Sequence, residues 1–213
     1  MSTEARGLTH RTVSMTLADV VVPRPGGGAV AIARNLALVV GGAALVAAAA
    51  QLSVHMPWTP VPYTGQTAAV LLVGTALGAP LGAASMALYV LAGFVGLPVY
   101  ADGAGGAGKL LGLTGGYLLG FVVAAALVGW LAQRRWDRSP LRAAALMAIG
   151  NIVIYLIGIP VLAVVAHLPA AVAIEKGALV FLPWDLLKVA LAGLLLPVAW
   201  RLVGNRADGT RRS

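Results

Sequence analysis

Long apolar segments, almost free of charge, make up most of the chain. They run from about residue 35 to 52, 68 to 77, 81 to 97, 117 to 133, 141 to 166 and 178 to 203. Most of them approach the roughly 20 residues that a helix needs to cross the hydrocarbon layer, and they lack the alternation of a membrane strand. The pattern predicts an all-α integral membrane protein, with one bundle of six transmembrane helices.

The connections between these segments are of two kinds. Only Gly78-Ala79-Pro80 separates the second and third runs, and the second run is short, so this pair is either two crossings or a re-entrant hairpin. Two longer connections carry no arginine. Residues 54–67, the proline loop, contain prolines that exclude helix, and residues 98–116, the glycine loop, contain seven glycines. We expect both to be ordered.

Composition supports a membrane protein and excludes several other classes. The chain is 60% hydrophobic and 10% charged, whereas soluble domains carry about 25% charge. Its net charge of +8 lies at the ends of the apolar runs, which favours a lipid bilayer over nucleic acid as its surroundings. Cysteine is absent and the three histidines lie on different segments, so neither thiolate chemistry nor a metal site is expected.

The arginines predict the topology. All twelve fall before the first run, between residues 134 and 142, or from residue 201 onward. The positive-inside rule places these three regions in the cytoplasm. We therefore expect a partly disordered cytoplasmic N-terminal tail (1–34), a single six-helix membrane domain (35–203) and a cytoplasmic basic tail (204–213). The proline and glycine loops then become structured outer loops.

The first apolar run is rich in small residues. Ala43 and Ala47, like Ala44 and Ala48, have the small-xxx-small spacing that lets another helix approach closely. That helix is either a neighbour within the bundle or part of another protein. A cleaved signal peptide is a competing interpretation of this run, but the polar region that precedes it is longer than a signal's basic start.

An acid and a base open the last apolar run. Asp185 and Lys188 are three residues apart, which places both on one face of a helix. Ionisable groups at a membrane helix are expensive and usually functional, although an ion pair at the helix end is the alternative explanation. Because they fall on the outer side with both loops, we expect an outward-facing pocket. Its ligand would have donors for Asp185, an acceptor or negative charge for Lys188, and an apolar body.

Two other chemistries are less well supported. Gly103 to Gly108 followed by Lys109 has the spacing of a phosphate-binding loop, but Leu110 stands where the magnesium-binding hydroxyl belongs. No serine lies in a nucleophile motif, which disfavours an intramembrane hydrolase. Acid–base catalysis by Asp185 and Lys188 remains a different class of hypothesis for the same residues.

Five short motifs occur in order along the membrane domain. They are VPYTGQT at 61–67, GFVGLPVY at 93–100, GLTGGYL at 112–118, IYLIG at 154–158 and PWDLLK at 183–188. With these motifs the chain resembles the BioY family, the biotin-binding S components of energy-coupling factor (ECF) vitamin transporters. Gly65 and Trp184 depart from the family pattern, in which leucine and glycine are usual, and the long N-terminal tail is atypical.

The resemblance implies a non-enzymatic subunit in the cell membrane of a prokaryote that captures biotin from outside. It has no cofactor of its own, because a transmembrane coupling protein and two ATPase subunits that use ATP supply the energy. The small face formed by Ala43, Ala44, Ala47 and Ala48 resembles the surface that contacts the coupling protein, with ordinary helix packing as the alternative. A different vitamin or heterocycle is the alternative ligand.

The resemblance also implies roles for individual side chains. Asp185 would accept the ureido N–H groups of biotin, and Lys188 would donate to the ureido oxygen or to the carboxylate. The remaining expected site residues are Tyr155 and Asn151 at the bicycle, Thr64 and Gln66 closing the outer loop, and Thr114, Gly115 and Tyr117 lining the pocket.

Overall fold

A computed structural model describes the backbone of residues 15–209 and the side chains up to residue 203, and helices dominate it. The helices are α1 (Leu17–Val21), α2 (Gly28–Ala50), α3 (Gln66–Leu77), α4 (Ala79–Phe94), α5 (Ala107–Leu110), α6 (Gly115–Gln133), α7 (Pro140–Val165), α8 (Ala170–Gly177) and α9 (Leu182–Gly209). Short 3₁₀ turns cover Ala101–Gly103, Trp136–Arg138 and Leu179–Phe181. Two strands, β1 (Ser53–Val54) and β2 (Tyr63–Thr64), pair antiparallel.

Four helical stretches are long and apolar enough to cross a membrane. They are α2, α6, α7 and the stretch Ala170–Val203, which includes α8 and most of α9. Helices α3 and α4 have 12 and 16 residues, or about 18 and 24 Å at the rise of an α-helix. Gly78 alone separates them, and its φ of +82° allows a turn that other residues rarely make.

Helix α6 lies at the centre of the bundle. It packs against α3 and α4 on one side and α7 on the other, while α9 packs on α7 and α2 packs on α3 and α4. These approaches are close because glycines lie at the crossings. A Cβ on Gly74 would lie 2.7 Å from the Ala125 carbonyl, and one on Gly129 would lie 2.5 Å from the Ala79 nitrogen. Helices in membranes pack through such small residues.

The small face of α2 is divided between the inside and the outside of the bundle. Ala43 is buried and Ala47 is half-buried against the core, whereas Ala44 and Ala48 are exposed. The spacing alone predicts that the four alanines form one surface. Only the pair at 44 and 48 is accessible to another protein.

The described part of the N-terminal region forms an ordered clasp, which we define as residues 16–34. Helix α2 begins at Gly28, before the predicted start of the membrane domain, and α1 packs on α3 and α9. Asp19 accepts hydrogen bonds from Arg24 Nε at 2.7 Å and Arg34 Nη2 at 2.9 Å. Burial would raise the pKa of Asp19, but the bonds from Arg24 and Thr16 outweigh it and lower the pKa. The predicted disorder of residues 1–14 falls outside the described residues.

The proline loop is anchored to the last turn of α8 and to the 3₁₀ turn that follows it. Its residues 55–62 form turns and bends between β1 and β2. Thr59 Oγ1 donates to the Lys176 carbonyl at 2.7 Å, and the Tyr63 hydroxyl donates to the Val180 carbonyl at 2.6 Å. The loop is therefore ordered and fixed across the end of the bundle.

The glycine loop is anchored to α2 and α4. The Tyr100 hydroxyl donates to the Val90 carbonyl at 2.6 Å. Gln51 donates to the Tyr100 carbonyl at 3.2 Å and accepts from the Gly103 amide at 3.0 Å. Both loops thus lie at the same end of the bundle, with the first turn of α9.

Candidate ligand-binding site

A cavity lies at the end of the bundle where the two loops meet α6, α7 and α9. The space between protein atoms there is about 670 Å³, part of it open to the outside. Seven of the predicted site residues line it: Thr64, Gln66, Thr114, Tyr117, Tyr155, Asp185 and Lys188. The sequence motifs on separate segments therefore converge on one cavity.

A buried carboxylate is the electrostatic centre of this cavity. Asp185 is only 5% exposed, in the first turn of α9. The Tyr155 hydroxyl donates to its Oδ2, and Lys188 Nζ donates to its Oδ1 at 3.2 Å. The two groups are therefore both an ion pair on one helix face and part of the cavity lining. A carboxylate can accept about four hydrogen bonds, so Asp185 keeps the capacity to accept from a ligand.

Lys188 connects the carboxylate to the start of α3. Its ammonium also donates to Thr67 Oγ1 at 2.7 Å. Next to it, Thr64 Oγ1 donates to Gln66 Oε1 at 3.0 Å, and Gln66 Nε2 donates to the Tyr89 hydroxyl at 2.6 Å. These bonds fix the polar groups of the proline loop, as buried polar groups require.

Aromatic residues form much of the remaining wall. The Tyr117 ring lies edge-on to that of Tyr155, with centroids 6.4 Å apart, and its hydroxyl donates to the Gly177 carbonyl at 2.9 Å. Phe181 stacks on Tyr63 at 4.4 Å. Trp184 is 46% exposed at the rim, with its ring centroid 5.9 Å from Lys188 Nζ. A mostly apolar wall with a few placed polar groups is typical of small-molecule sites.

Two predicted site residues do not line the main cavity. Asn151 lines a second cavity between α3, α7 and α9, which reaches Lys188 from the other side. Its buried Oδ1 has no hydrogen-bond partner among the residues with described side chains. Gly115 lies behind the wall, where a Cβ would be 1.6 Å from the Leu110 carbonyl. Because Gly115 has no side chain, it leaves room for the backbone of α5.

Several lining residues were not among the predicted site residues. Thr67 binds Lys188, although the sequence shows it only as one of a cluster of polar residues in the proline loop. Lys109 lines the cavity from α5, and Trp184 from α9. The available signal for Lys109 was its rarity, since it is one of three lysines in the chain.

Metal ligation has no geometric support in the part of the chain that the structure describes. No group of three His, Cys, Asp or Glu residues there is arranged to hold an ion. His55 lies 3.3 Å from Asp102 in the exposed loops.

A bundle of apolar helices around a loop-covered cavity is typical of helical membrane proteins that bind a small molecule. Within this class the chain belongs to the BioY family, because the model of that family matches residues 13–205.

Similar proteins carry consistent names. The biotin transporter BioY of Thermotoga maritima is 38% identical over 152 residues, covering 71% of this chain and 87% of its own length. The probable biotin transporter BioY of Pyrococcus horikoshii is 36% identical over 173 residues, covering 81% of this chain and 98% of its own length. Their sequences therefore span nearly the same membrane domain.

A solved structure shares the fold. The crystal structure of an S-component for biotin from an ECF-type ABC transporter superposes with a TM-score of 0.74 at 22% identity, covering 82% of this chain and 95% of that one. This likeness shows that the helices of the two proteins are arranged in the same way.

Proposed function

We propose that this protein binds biotin and serves as the substrate-specific membrane subunit of an ECF-type ABC transporter. Membership of the BioY family and the names of its relatives support this function. The structural observation that carries it is the cluster of the buried Asp185 with the half-buried Lys188 and Tyr155 on the wall of the cavity.

The chemistry of biotin matches this cluster and its surroundings. The ureido group offers two N–H donors to Asp185 and a carbonyl acceptor to Lys188, with Tyr155 beside them. The sulphur-containing ring and the valerate chain are apolar and suit the aromatic wall. Thr64 and Gln66 hold the proline loop over the ligand, and Thr114 and Tyr117 complete the lining.

In the proposed topology the chain crosses the membrane six times and both termini are cytoplasmic. The cavity then opens to the outside of a prokaryotic cell membrane. The two short helices α3 and α4 would each cross, with α2, α6, α7 and α9 as the other four crossings. The three arginine groups support this orientation. The cytoplasmic end then includes the N-terminal clasp and the link between α6 and α7.

The energy for uptake would come from other subunits, a membrane coupling protein and two ATPases. The exposed alanines Ala44 and Ala48 on α2 are the part of the small face suited to a helix of the coupling protein. Ala43 and Ala47 pack within the bundle. The protein itself would bind and release biotin without changing it.

The test combines ligand identification with one substitution. Mass spectrometry of the purified protein should detect intact biotin, and Asp185→Asn should lower biotin affinity at least about 10-fold, since hydrogen bonds to charged groups contribute about 1.5–3 kcal/mol. Asp102→Asn is the matched control, because Asp102 is exposed in the glycine loop and asparagine tolerates its positive φ. Wild-type affinity in a folded Asp185→Asn protein would contradict the site.

The same measurement separates the alternatives. Competition with thiamin and riboflavin distinguishes biotin from other vitamins. Recovery of a chemically altered ligand would instead support an intramembrane enzyme that uses Asp185 and Lys188.

A further inference from the structure

The main cavity contains a second lysine that the proposed binding scheme leaves without a role. Lys109 lies on α5, is half-buried and lines the cavity. Within the described part of the chain, no carboxylate lies within 4.0 Å of its ammonium, whereas Lys188 has Asp185 as a partner. A lysine that lines a cavity without an anion beside it favours a ligand that brings one.

The charges that line the cavity do not cancel. The residues that line it include one acid, Asp185, and two bases, Lys188 and Lys109. The first two neutralise each other across 3.2 Å. One positive charge therefore remains, and it belongs to Lys109.

We propose that Lys109 binds the carboxylate of the ligand's aliphatic tail and makes the site specific for a singly charged anion. This inference rests on the proposed function, and it assigns the two ends of the ligand to different elements. The heterocycle binds between α7 and α9, at Tyr155, Asp185 and Lys188. The carboxylate binds at α5.

Lys188 is the competing partner for that carboxylate, and electrostatics argues against it. Its ammonium already donates to Asp185 and Thr67. A ligand carboxylate at the same ammonium would lie close to the Asp185 carboxylate, and like charges in a partly buried site repel strongly. The neutral ureido oxygen avoids this repulsion, so Lys188 suits the oxygen and Lys109 suits the anion.

The position of α5 depends on a close contact with the start of α6. Gly115 leaves room for the Leu110 carbonyl, which a Cβ would approach to 1.6 Å. Leu110 follows Lys109 directly, so this contact determines where the lysine lies. Gly115, one of the predicted site residues, therefore acts through α5 on the carboxylate end of the ligand.

The experiment compares biotin with its neutral methyl ester in equilibrium binding to the full-length protein in detergent. Wild type should prefer biotin. Lys109→Met should weaken biotin binding by about 10- to 100-fold, the usual effect of one charge-assisted hydrogen bond, and should change ester binding by less than about 3-fold. Lys109→Arg should keep the preference for biotin, because it keeps the charge.

Two further variants make the result specific. Lys176→Met is the matched control, because Lys176 is also half-buried at this end of the bundle but lies outside the main cavity. Lys188→Met should weaken binding of biotin and of the ester equally, because it removes a contact to the ring system. This variant tests the assignment even if Lys109→Met does not fold.

The outcomes separate the inference from the function on which it rests. Failure of the wild-type protein to bind biotin would refute the proposed function and this inference with it. Biotin binding by wild type, together with equal losses for acid and ester in Lys109→Met, or no loss, would overturn the inference alone. So would a loss of acid preference in Lys188→Met.

Discussion

At the level of single residues, the site depends on how Asp185 is oriented. Its two oxygens are bonded to different partners, Tyr155 from α7 and Lys188 from its own helix. These bonds fix the plane of the carboxylate before a ligand arrives, and preorganisation reduces the entropy lost on binding. We therefore expect Tyr155 to position Asp185 as well as to line the cavity.

Tyr155→Phe should lower biotin affinity about 10-fold, because it removes one hydrogen bond to a charged group and keeps the ring. The loss should be similar for biotin and its methyl ester, since Tyr155 lies at the proposed ring-binding end of the cavity. Equilibrium binding of both ligands checks this expectation.

Tyr100→Phe is the control for that substitution. Tyr100 also lines the cavity, but its hydroxyl donates to the Val90 carbonyl. Its removal should lower thermal stability, by about 1 kcal/mol for one hydrogen bond, and leave affinity close to wild type. Equal losses of affinity in the two variants would contradict a specific role for Tyr155.

At the level of elements, the short helix α5 depends on its neighbours for its position. It has four residues, too few for a stable isolated helix. The Gly106 amide donates to the Gly93 carbonyl at 2.6 Å before it, and Gly115 allows the approach of Leu110 after it. These flanking contacts place α5 over the cavity.

Gly115→Ala should displace α5 and so impair binding. The added methyl would overlap the Leu110 carbonyl, and forced overpacking costs about 1–3 kcal/mol. We expect a lower melting temperature and a larger loss of affinity for biotin than for its methyl ester, because Lys109 moves with α5.

Gly108→Ala is the matched control within α5 itself. A Cβ at Gly108 meets no atom within 4 Å, so stability and binding should stay close to wild type. An unchanged melting temperature in Gly115→Ala would show that α5 can move without cost.

The N-terminal clasp is a second element whose stability depends on one carboxylate. Asp19 and Arg34 are both 6% exposed in their side chains, whereas Arg24 is 52% exposed. The buried Arg34 pair should therefore contribute most of the stabilisation, since exposed pairs contribute little. Asp19→Asn at pH 7 leaves Arg34 without its anion and should destabilise the protein by about 3 kcal/mol.

The same carboxylate predicts a pH dependence. Because the pKa of Asp19 in the folded protein is below its ordinary value of 3.8, its stabilisation is present above about pH 4 and is lost as the pH falls through the lower folded value. Melting temperatures between pH 3 and 7 should show this component in wild type and in Asp102→Asn. Its persistence in Asp19→Asn would contradict the assignment.

For the whole molecule, the pattern of apolar runs predicts the helical bundle, and the polar exceptions predict the cavity. The sequence pattern could not show that Asn151 and Tyr155 line different cavities, because residues four apart share a helix face. Their four-residue separation along α7, a rise of about 6 Å, places Asn151 in the second cavity. Likewise the pairs Ala43/Ala47 and Ala44/Ala48 have the same four-residue spacing, and only packing shows which pair faces inward.

Other features could not be predicted from the sequence, because they depend on contacts between residues far apart in the chain. The clearance at Gly115 exists only because α5 turns back on α6. The ordered clasp depends on the bond from Arg34 to Asp19, fifteen residues apart. A polar N-terminal segment gives no local sign of this bond, so composition predicts a tail.

The proposed uptake depends on the orientation of the molecule in the membrane, with the cavity at the outer face. Because the chain has no cysteine, a single introduced cysteine is a unique label for a membrane-impermeant maleimide. Glu175→Cys, at an exposed position of α8 near the cavity, should react in intact cells. Ser139→Cys, between α6 and α7 among the second arginine group, should react only after permeabilisation. The reverse result would place the cavity at the cytoplasmic face, where it could not capture biotin from outside.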